Sequence, residues 1–199
     1  MDWAPPPSVR TVLFDMGGVL IDWKDEWIFD RVSKECSVPY RSVEMAILPL
    51  RDRLQRGDIS LRIMWKSLAQ QLEIPMPRNY RQLWVGTLQD HLRVIPRSVR
   101  LAGLLRKRGF ETGIFSNTDA THTALFRKLP AFRSFSPWLL SYEMGVGKPE
   151  PRGFRVAERI LGRTPSEVLL IDDRPANVRA ARAHGWSAAL FDARTESPR

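Results

Sequence analysis

The sequence has little cysteine and little histidine, and this scarcity excludes several kinds of site. Cys36 is the only cysteine, so no disulfide can form within the chain and a structural zinc site is not expected. The three histidines, His91, His122 and His184, show no metal-ligand spacing, and we interpret them as ordinary helix or loop residues. The lack of cysteine pairs agrees with a reducing compartment.

Long apolar runs are also missing from the sequence. No stretch is long enough to span a bilayer. The N-terminal residues Met1–Pro7 have neither the basic nor the apolar segment of a signal peptide. We therefore expect a cytoplasmic protein, a monomer or homodimer, that has no membrane partner.

Positive charge, in contrast, is abundant. Lys and Arg number 31 against 22 Asp and Glu, which gives a formal net charge of +9. This excess could attract nucleic acid, an anionic membrane or a phosphorylated substrate. The basic residues are scattered, however, and the longest consecutive run is only Arg106–Arg108. We interpret them as a solvated basic surface and expect no nucleic-acid partner.

Several short apolar segments end in polar residues, a pattern typical of buried parallel strands followed by tight loops. They are Val9–Phe14 before Asp15, Phe110–Phe115 before Ser116, Glu167–Ile171 before Asp172, Trp186–Phe191 before Asp192, and the weaker Trp138–Ser141. Helical patterns lie between them, at residues 99–105 before Gly109, at Gly153–Leu161 and at Pro175–His184. The alternation predicts an α/β fold with a Rossmann-like parallel sheet and helices on both faces.

The segment from about Asp22 to Ile95 has a different pattern, with no convincing buried strand. It predicts four helices: Lys24–Cys36, Arg41–Leu54 with an interruption at Pro49, Leu61–Leu72 and Tyr80–Leu92. We therefore expect a Rossmann-like core formed by residues 8–21 and 96–199. An α-helical domain formed by residues 22–95 is inserted into it.

Polar side chains at the carboxyl ends of the predicted strands are the candidate site, because ligands of open parallel sheets bind there. They are Asp15, Ser116, Asn117, Asp172 and Asp173, with Lys148 from the loop at residues 145–151. Neighbouring carboxylates repel one another unless a cation neutralises them, and hard oxygen ligands favour Mg²⁺. Ser116, Asn117 and Lys148 are donors suited to phosphate oxygens. Asp15 could then attack phosphorus and form an aspartyl-phosphate.

Four segments resemble, in order, the four motifs of the haloacid dehalogenase superfamily. They are Phe14–Leu20, Ser116–Thr118, Gly147–Pro149 and Ile171–Asn177. The helical insertion resembles the α-helical cap of that family. The whole chain, including Gln55–Ser60, resembles the branch of bacterial sugar-phosphate phosphatases of the α-glucose-1-phosphatase type.

The resemblance implies a role for each matching residue in a magnesium-dependent reaction on a small phosphorylated metabolite. Asp15 matches the nucleophile, and Lys148 matches the lysine that pairs with the nucleophile and the phosphate. Ser116 and Asn117 match the phosphate-binding position and its neighbour. The implied metal ligands are Asp15, the Gly17 carbonyl, Asp172 and Asp173. Of the last two, we favour Asp173 for direct coordination and Asp172 for a water-mediated or orienting role.

Gly17 departs from the pattern of most phosphatases in the superfamily, which have an acid–base aspartate two residues after the nucleophile. Acid–base assistance is worth about 100- to 10,000-fold in rate. The branch that this chain resembles also has glycine there, so the departure does not imply inactivity. Three alternatives remain: a phosphatase, which we favour, a 2-haloacid dehalogenase whose leaving halide needs no proton, and a catalytically weak protein that binds phosphorylated ligands.

Some further residues have two interpretations at this point. Arg51, Arg53 and Arg56 either face the active site from the cap or coat a helix. Thr118–Asp119 either contact substrate or begin a helix. Asn177 is a candidate for holding the loop after the Asp172 strand. The tryptophans of the helical segment are expected to pack rather than to stack on a sugar; they are Trp23, Trp27, Trp65 and Trp84.

Overall fold

The computed structural model describes residues 4–192 of the 199-residue chain. Its strands are β1 (Thr11–Phe14), β2 (Ile21–Asp22), β3 (Arg93–Val94), β4 (Glu111–Ser116), β5 (Trp138–Leu140), β6 (Val168–Asp172) and β7 (Ser187–Leu190). Its α-helices are α1 (Glu26–Cys36), α2 (Tyr40–Gln55), α3 (Leu61–Gln71), α4 (Tyr80–His91), α5 (Pro96–Lys107), α6 (Ala120–Phe126), α7 (Ser141–Met144), α8 (Pro151–Leu161) and α9 (Pro175–Ala183). Two short 3₁₀ helices lie at Pro130–Phe132 and Pro165–Glu167.

The main sheet has five parallel strands in the order β5-β4-β1-β6-β7. The central strand β1 pairs on both sides, so that Thr11 lies opposite Glu111 in β4 and opposite Val168 in β6. All four residues of β1 are buried, as expected for a strand covered on both faces. Each of the five apolar segments predicted as strands overlaps one of these strands, although β4 and β6 extend one residue beyond the prediction, to Ser116 and Asp172.

The two faces of the sheet bury alternate side chains of β1. Phe14 packs in a cluster with Leu101 and Leu105 of α5. Leu13 packs in the opposite cluster with Phe154 of α8 and Ala181 of α9. Because successive side chains of a strand point to opposite faces, both layers of helices are needed to cover the sheet. The predicted α/β class with helices on both faces is confirmed.

Helices α1 to α4 surround a separate apolar cluster that includes Ile28, Ile47, Trp65 and Leu83. The predicted interruption at Pro49 is wrong, since α2 continues from Tyr40 to Gln55. A proline removes the bond to the carbonyl four residues earlier, which belongs here to Met45. Met45 lies on the exposed face of α2, with 69 % exposure, while the buried residues on the other face, such as Ile47 and Leu50, hold the helix in place.

The chain leaves the sheet for the helical segment through β2 and returns to it through β3. These two strands pair as a two-stranded antiparallel ribbon. It pairs Ile21 with Val94 and Asp22 with Arg93. The sequence pattern predicts no strand in this region, because a two-residue strand is too short to show a period. The ribbon and the separate apolar cluster support our proposal that residues 22–95 form a cap on a core of 8–21 and 96–199. Residues 193–199 of that proposed core lie outside the described part of the chain.

No helix between residues 4 and 192 is long and apolar enough to cross a membrane.

Candidate active site

Asp15 follows the last residue of β1, at the carboxyl edge of the sheet, and is 8 % exposed. Its Oδ1 accepts a hydrogen bond from the backbone N–H of Met16 at 2.7 Å. Burial, assisted by the charges of Asp172 and Asp173, raises the pKa of Asp15 to about 6, although Lys148 acts in the opposite direction. A cation next to Asp15 would favour the ionised form that a nucleophile requires.

Lys148 is the cation that the fold itself places beside these carboxylates. Its Nζ lies 3.1 Å from Asp15 Oδ1, and it donates to Asp172 Oδ2 and to the carbonyl of Phe115, both at 2.6 Å. Burial disfavours the charged ammonium, but the two carboxylates outweigh this effect and raise the pKa of Lys148. The side chain is therefore a charged donor held between β1, β4 and β6.

Asp172, at the end of β6, is fully buried and already has several hydrogen-bond donors. Besides Lys148, Asn177 Nδ2 donates to both of its oxygens at 3.0 and 3.1 Å, and the N–H of Arg174 donates to Oδ1 at 2.9 Å. Asn177 thus connects α9 to the end of β6. These bonds leave Asp172 little capacity to bind a metal directly.

Asp173 has the opposite situation. Its buried Oδ1 has no hydrogen-bond partner among the described residues, and burial together with the charge of Asp172 raises its pKa. One carboxylate oxygen from each of Asp15, Asp172 and Asp173 lies within 4.8 Å of the other two. Gly18 is required beside them, because it has a φ of +75° and a Cβ there would collide with the Asp173 carboxylate.

Ser116 ends β4 and Asn117 follows it, but their side chains have different surroundings. Ser116 is 2 % exposed and lines the same cavity as Asp15. The amide of Asn117 is already paired with the backbone of Lys148: Nδ2 donates to the carbonyl at 2.6 Å, and Oδ1 accepts from the N–H at 2.9 Å. Phosphate binding by Asn117 stays a prediction, while its side-chain amide holds the lysine loop. A side chain at Gly147 would collide with it.

A cavity of about 260 Å³ lies between this edge of the sheet and the helical segment. The sheet side contributes Asp15, Gly17, Ser116, Asn117, Lys148, Asp173, Arg174 and Asn177, and the helical side contributes Trp23, Lys24, Asp25, Glu26, Arg51 and Gln55.

The sequence left open whether three arginines of α2 and the loop after it face the site. Arg51 faces the cavity, Arg56 forms an ion pair with Glu150 and Arg53 is exposed.

Asp25 and Arg174 are cavity residues for which the sequence alone suggests no role. Asp25 Oδ2 lies 2.5 Å from Arg51 Nη1 and 3.5 Å from Arg174 Nη2. These contacts join residues that are far apart in the sequence. Pattern and spacing therefore contain no signal for them beyond the position of Arg174 directly after Asp173.

Gly17 lines the cavity. In the superfamily that the four motifs resemble, most phosphatases have an aspartate at this position. A Cβ at Gly17 would lie 3.7 Å from both Cβ and Cδ1 of Trp23, which is an ordinary packing distance. The indole of Trp23 is fixed there by a hydrogen bond to Asp25 Oδ1 at 3.1 Å and by edge contacts with Trp27 and His122. A side chain at Gly17 would therefore pack against the aromatic ring of Trp23.

A buried Asp–His pair lies beside this tryptophan. Asp119 caps α6 by accepting from the N–H groups of Thr121 and His122, and its Oδ2 lies 3.1 Å from His122 Nδ1. Trp84 of α4 donates its indole N–H to Asp119 Oδ2 at 3.1 Å and stacks on the His122 ring. Asp119 is thus a helix cap that also contacts the helical segment. His122 lies in a helix, but its buried contact with Asp119 sets it apart from the ordinary helix or loop residue that we expected.

A family model described as haloacid dehalogenase-like hydrolase matches residues 9–185. The chain belongs to this family. The match begins two residues before β1 and ends two residues after α9, so it includes every residue of the candidate site.

Among curated relatives, the phosphoserine phosphatase of Thermus thermophilus is 43 % identical over 121 residues, 58 % of this chain and 48 % of that protein. Hexitol phosphatase A of Escherichia coli is 23 % identical over 114 residues, 57 % of this chain and 53 % of that protein. The matched part of the chain thus spans about half the length of these relatives.

Among solved structures, a family enzyme from Bacteroides thetaiotaomicron has the same fold, with a TM-score of 0.80 and 22 % identity over 94 % of this chain and 96 % of that one. The same enzyme was also solved in complex with magnesium and inorganic phosphate, with a TM-score of 0.78. The likeness extends through both the sheet and the helical segment.

Proposed function

We propose that the protein is a magnesium-dependent phosphomonoester hydrolase that acts on small phosphorylated metabolites. One observation carries the proposal: Asp15 shares a buried site with Lys148 and with Asp173, whose Oδ1 has no partner among residues 4–192. The names of the two curated relatives, both phosphatases, support this chemistry.

The three clustered carboxylates fit a divalent cation. They contribute three negative charges against the single positive charge of Lys148, and their oxygens are the hard ligands that Mg²⁺ prefers. Asp15, Asp173 and the Gly17 carbonyl would hold the ion directly, while Asp172 would act through water because its oxygens already accept four hydrogen bonds. When bound, magnesium would polarise the phosphoryl oxygens and stabilise their negative charge.

Asp15 would act as the nucleophile. Among the described residues, hydrogen bonds and the lysine contact reach its Oδ1, which leaves Oδ2 for the attack on phosphorus. The bond between phosphorus and the ester oxygen breaks as the Asp15–phosphorus bond forms. Water then attacks phosphorus, which releases inorganic phosphate and restores the carboxylate. Lys148 remains protonated and donates to the negative charge that develops in both steps, and Ser116 supplies a further donor.

The leaving oxygen needs a proton, and Gly17 cannot supply one. Asp25 is also unsuitable: burial opposes its ionisation, but Arg51 outweighs burial and lowers the pKa of Asp25. We therefore propose that water in the cavity protonates the leaving group. This favours esters with good leaving groups, such as sugar 1-phosphates, over simple alkyl phosphates. Sugar phosphates as substrates rest on the motif resemblance and on the hexitol phosphatase relative alone.

Gly17 is also the observation that favours a 2-haloacid dehalogenase as the second candidate, since a halide leaves without a proton. Such an enzyme needs no metal, so Asp173 Oδ1, which has no partner in the described part of the chain, would have no function in it.

Phosphate release from a panel of esters, with magnesium and with a chelator, tests the proposal. The panel includes glucose 1-phosphate and p-nitrophenyl phosphate, and halide release from 2-chloropropionate is measured alongside. Magnesium-dependent phosphate release is the expected result. Metal-independent halide release would indicate a dehalogenase. No release of either product from folded protein would indicate a protein that only binds phosphorylated ligands.

A further inference from the structure

The cavity above Asp15 has a second charged wall, opposite the carboxylate cluster. It is formed by Lys24, Asp25, Glu26 and Arg51 of the helical segment and by Arg174 of the loop after β6. The cavity volume of about 260 Å³ is several times the roughly 30 Å³ that one water occupies in the liquid. There is room for the organic part of a small phosphate ester beside this wall.

Asp25 positions two guanidinium groups at this wall. A single oxygen of Asp25, Oδ2, is close to Arg51 Nη1 and Arg174 Nη2, while its Oδ1 accepts from the Trp23 indole. Arg51 comes from α2 and Arg174 from the loop that also contains Asp173. One carboxylate therefore fixes arginines from both parts of the molecule over the same cavity.

The donors of these arginines exceed the acceptors that the wall provides. A guanidinium has five N–H donors, and the buried Nε of Arg51 has no hydrogen-bond partner within residues 4–192. The Arg51 side chain is only 13 % exposed, so this unpartnered donor is costly in the free protein. Three cationic side chains face two anionic ones at the wall, which leaves one positive charge unmatched.

We propose that Arg51 and Arg174 bind a carboxylate on the organic part of the substrate, so that the protein prefers phosphomonoesters that bear a carboxylate. The inference rests on the proposed phosphatase function. A carboxylate matches the single unpaired positive charge and the fork geometry of a guanidinium. A second phosphate would bring two negative charges toward Asp25 and Glu26, and an uncharged sugar would offer Arg51 no ionic acceptor.

A matched pair of esters tests the inference on the unmodified protein. 3-Phosphoglycerate has a carboxylate where glycerol 3-phosphate has a hydroxymethyl group. Hydrogen bonds to charged groups contribute about 1.5–3 kcal/mol, so kcat/KM should be about 10-fold or more higher for 3-phosphoglycerate. Equal values, or a preference for glycerol 3-phosphate, would overturn the inference while phosphate release itself would still support the phosphatase function. No phosphate release from either ester or from p-nitrophenyl phosphate would contradict both.

Two arginine variants on the same helix assign the preference to its residue. Arg51→Gln should reduce the ratio of the two kcat/KM values about 10-fold, mainly through a higher KM for 3-phosphoglycerate. Arg53→Gln is the matched control, because Arg53 is exposed on α2 and does not line the cavity, and it should leave the ratio unchanged. An unchanged ratio in Arg51→Gln, or an equal loss in Arg53→Gln, would refute the assignment. Circular dichroism of both variants verifies that they are folded.

Discussion

At the scale of single residues, the candidate site depends on side chains that hold other side chains in place. Asn117 makes two hydrogen bonds with the backbone of Lys148, and Asn177 donates to both oxygens of Asp172. The sequence identified both asparagines because they stand in or next to motif positions. It could not show that the Asn117 amide bonds the loop, because this depends on where the loop at residue 148 lies.

Asn117→Ala should therefore weaken both stability and activity. Loss of two hydrogen bonds of about 1 kcal/mol each should lower the free energy of unfolding by about 2 kcal/mol. Because Lys148 would be less well positioned, kcat/KM for phosphate esters should fall about 10-fold. Urea unfolding and phosphate release measure the two effects. Asn79→Ala, at an exposed position, is the control, and equal behaviour of the two variants would argue against a positioning role for Asn117.

The contact between residue 17 and Trp23 determines what an aspartate at residue 17 should do to the rate, which the sequence alone does not show. Gly17→Asp on its own should not increase the rate on glycerol 3-phosphate, because its carboxylate would share this part of the cavity with the indole of Trp23, which a Cβ at residue 17 already contacts at 3.7 Å. The double variant Gly17→Asp with Trp23→Ala should give a higher rate than Trp23→Ala alone, by about 10-fold or more if the acid is well placed. A rate increase in the single variant would show that Trp23 does not block the position.

At the scale of elements, the strands and core helices were predictable, because buried parallel strands are short apolar runs and helices end at glycines such as Gly162, with a φ of +61°. The ribbon of β2 and β3 and the uninterrupted α2 were not, since both depend on tertiary contacts. The contact between α4 and α6 was likewise not predictable from the sequence, because it too depends on tertiary packing. His122 has acceptors at both ring nitrogens, Asp119 Oδ2 and the Trp84 carbonyl, which fits a doubly protonated imidazolium.

This contact should make stability depend on pH. Burial disfavours the charged form of His122, but Asp119 outweighs burial and raises the pKa of His122. A raised pKa stabilises the folded protein below the pKa of the unfolded state, about 6.5, and this contribution is lost as pH rises through the folded-state value. The difference in unfolding free energy between wild type and His122→Phe should therefore be larger at about pH 6 than at about pH 9.

Urea unfolding at several pH values measures this difference, and His91→Phe is the control. His91 is exposed and stacks on Trp27, away from the Asp–His pair. If the difference in unfolding free energy between wild type and His122→Phe grew toward alkaline pH, this would be inconsistent with an imidazolium at His122.

At the scale of the whole molecule, the parallel sheet explains why residues from four distant segments meet. Strands β1, β4 and β6 are neighbours, so their carboxyl ends bring Asp15, Ser116 and Asp172 to one edge. The sequence predicts this convergence because strand ends are visible in it. It does not predict the second wall, because Asp25, Arg51 and Arg174 meet only when the helical segment lies over the sheet.

The central claim is that Asp15 is the nucleophile of a magnesium-dependent phosphatase. The most direct test compares phosphate release by wild type and by Asp15→Asn, with magnesium and the best ester of the panel. Asp58→Asn is the control, because Asp58 is exposed. The account predicts loss of at least about 1,000-fold in kcat for Asp15→Asn, with a wild-type fold by circular dichroism and full activity in Asp58→Asn. Full magnesium-dependent activity in Asp15→Asn would contradict the account.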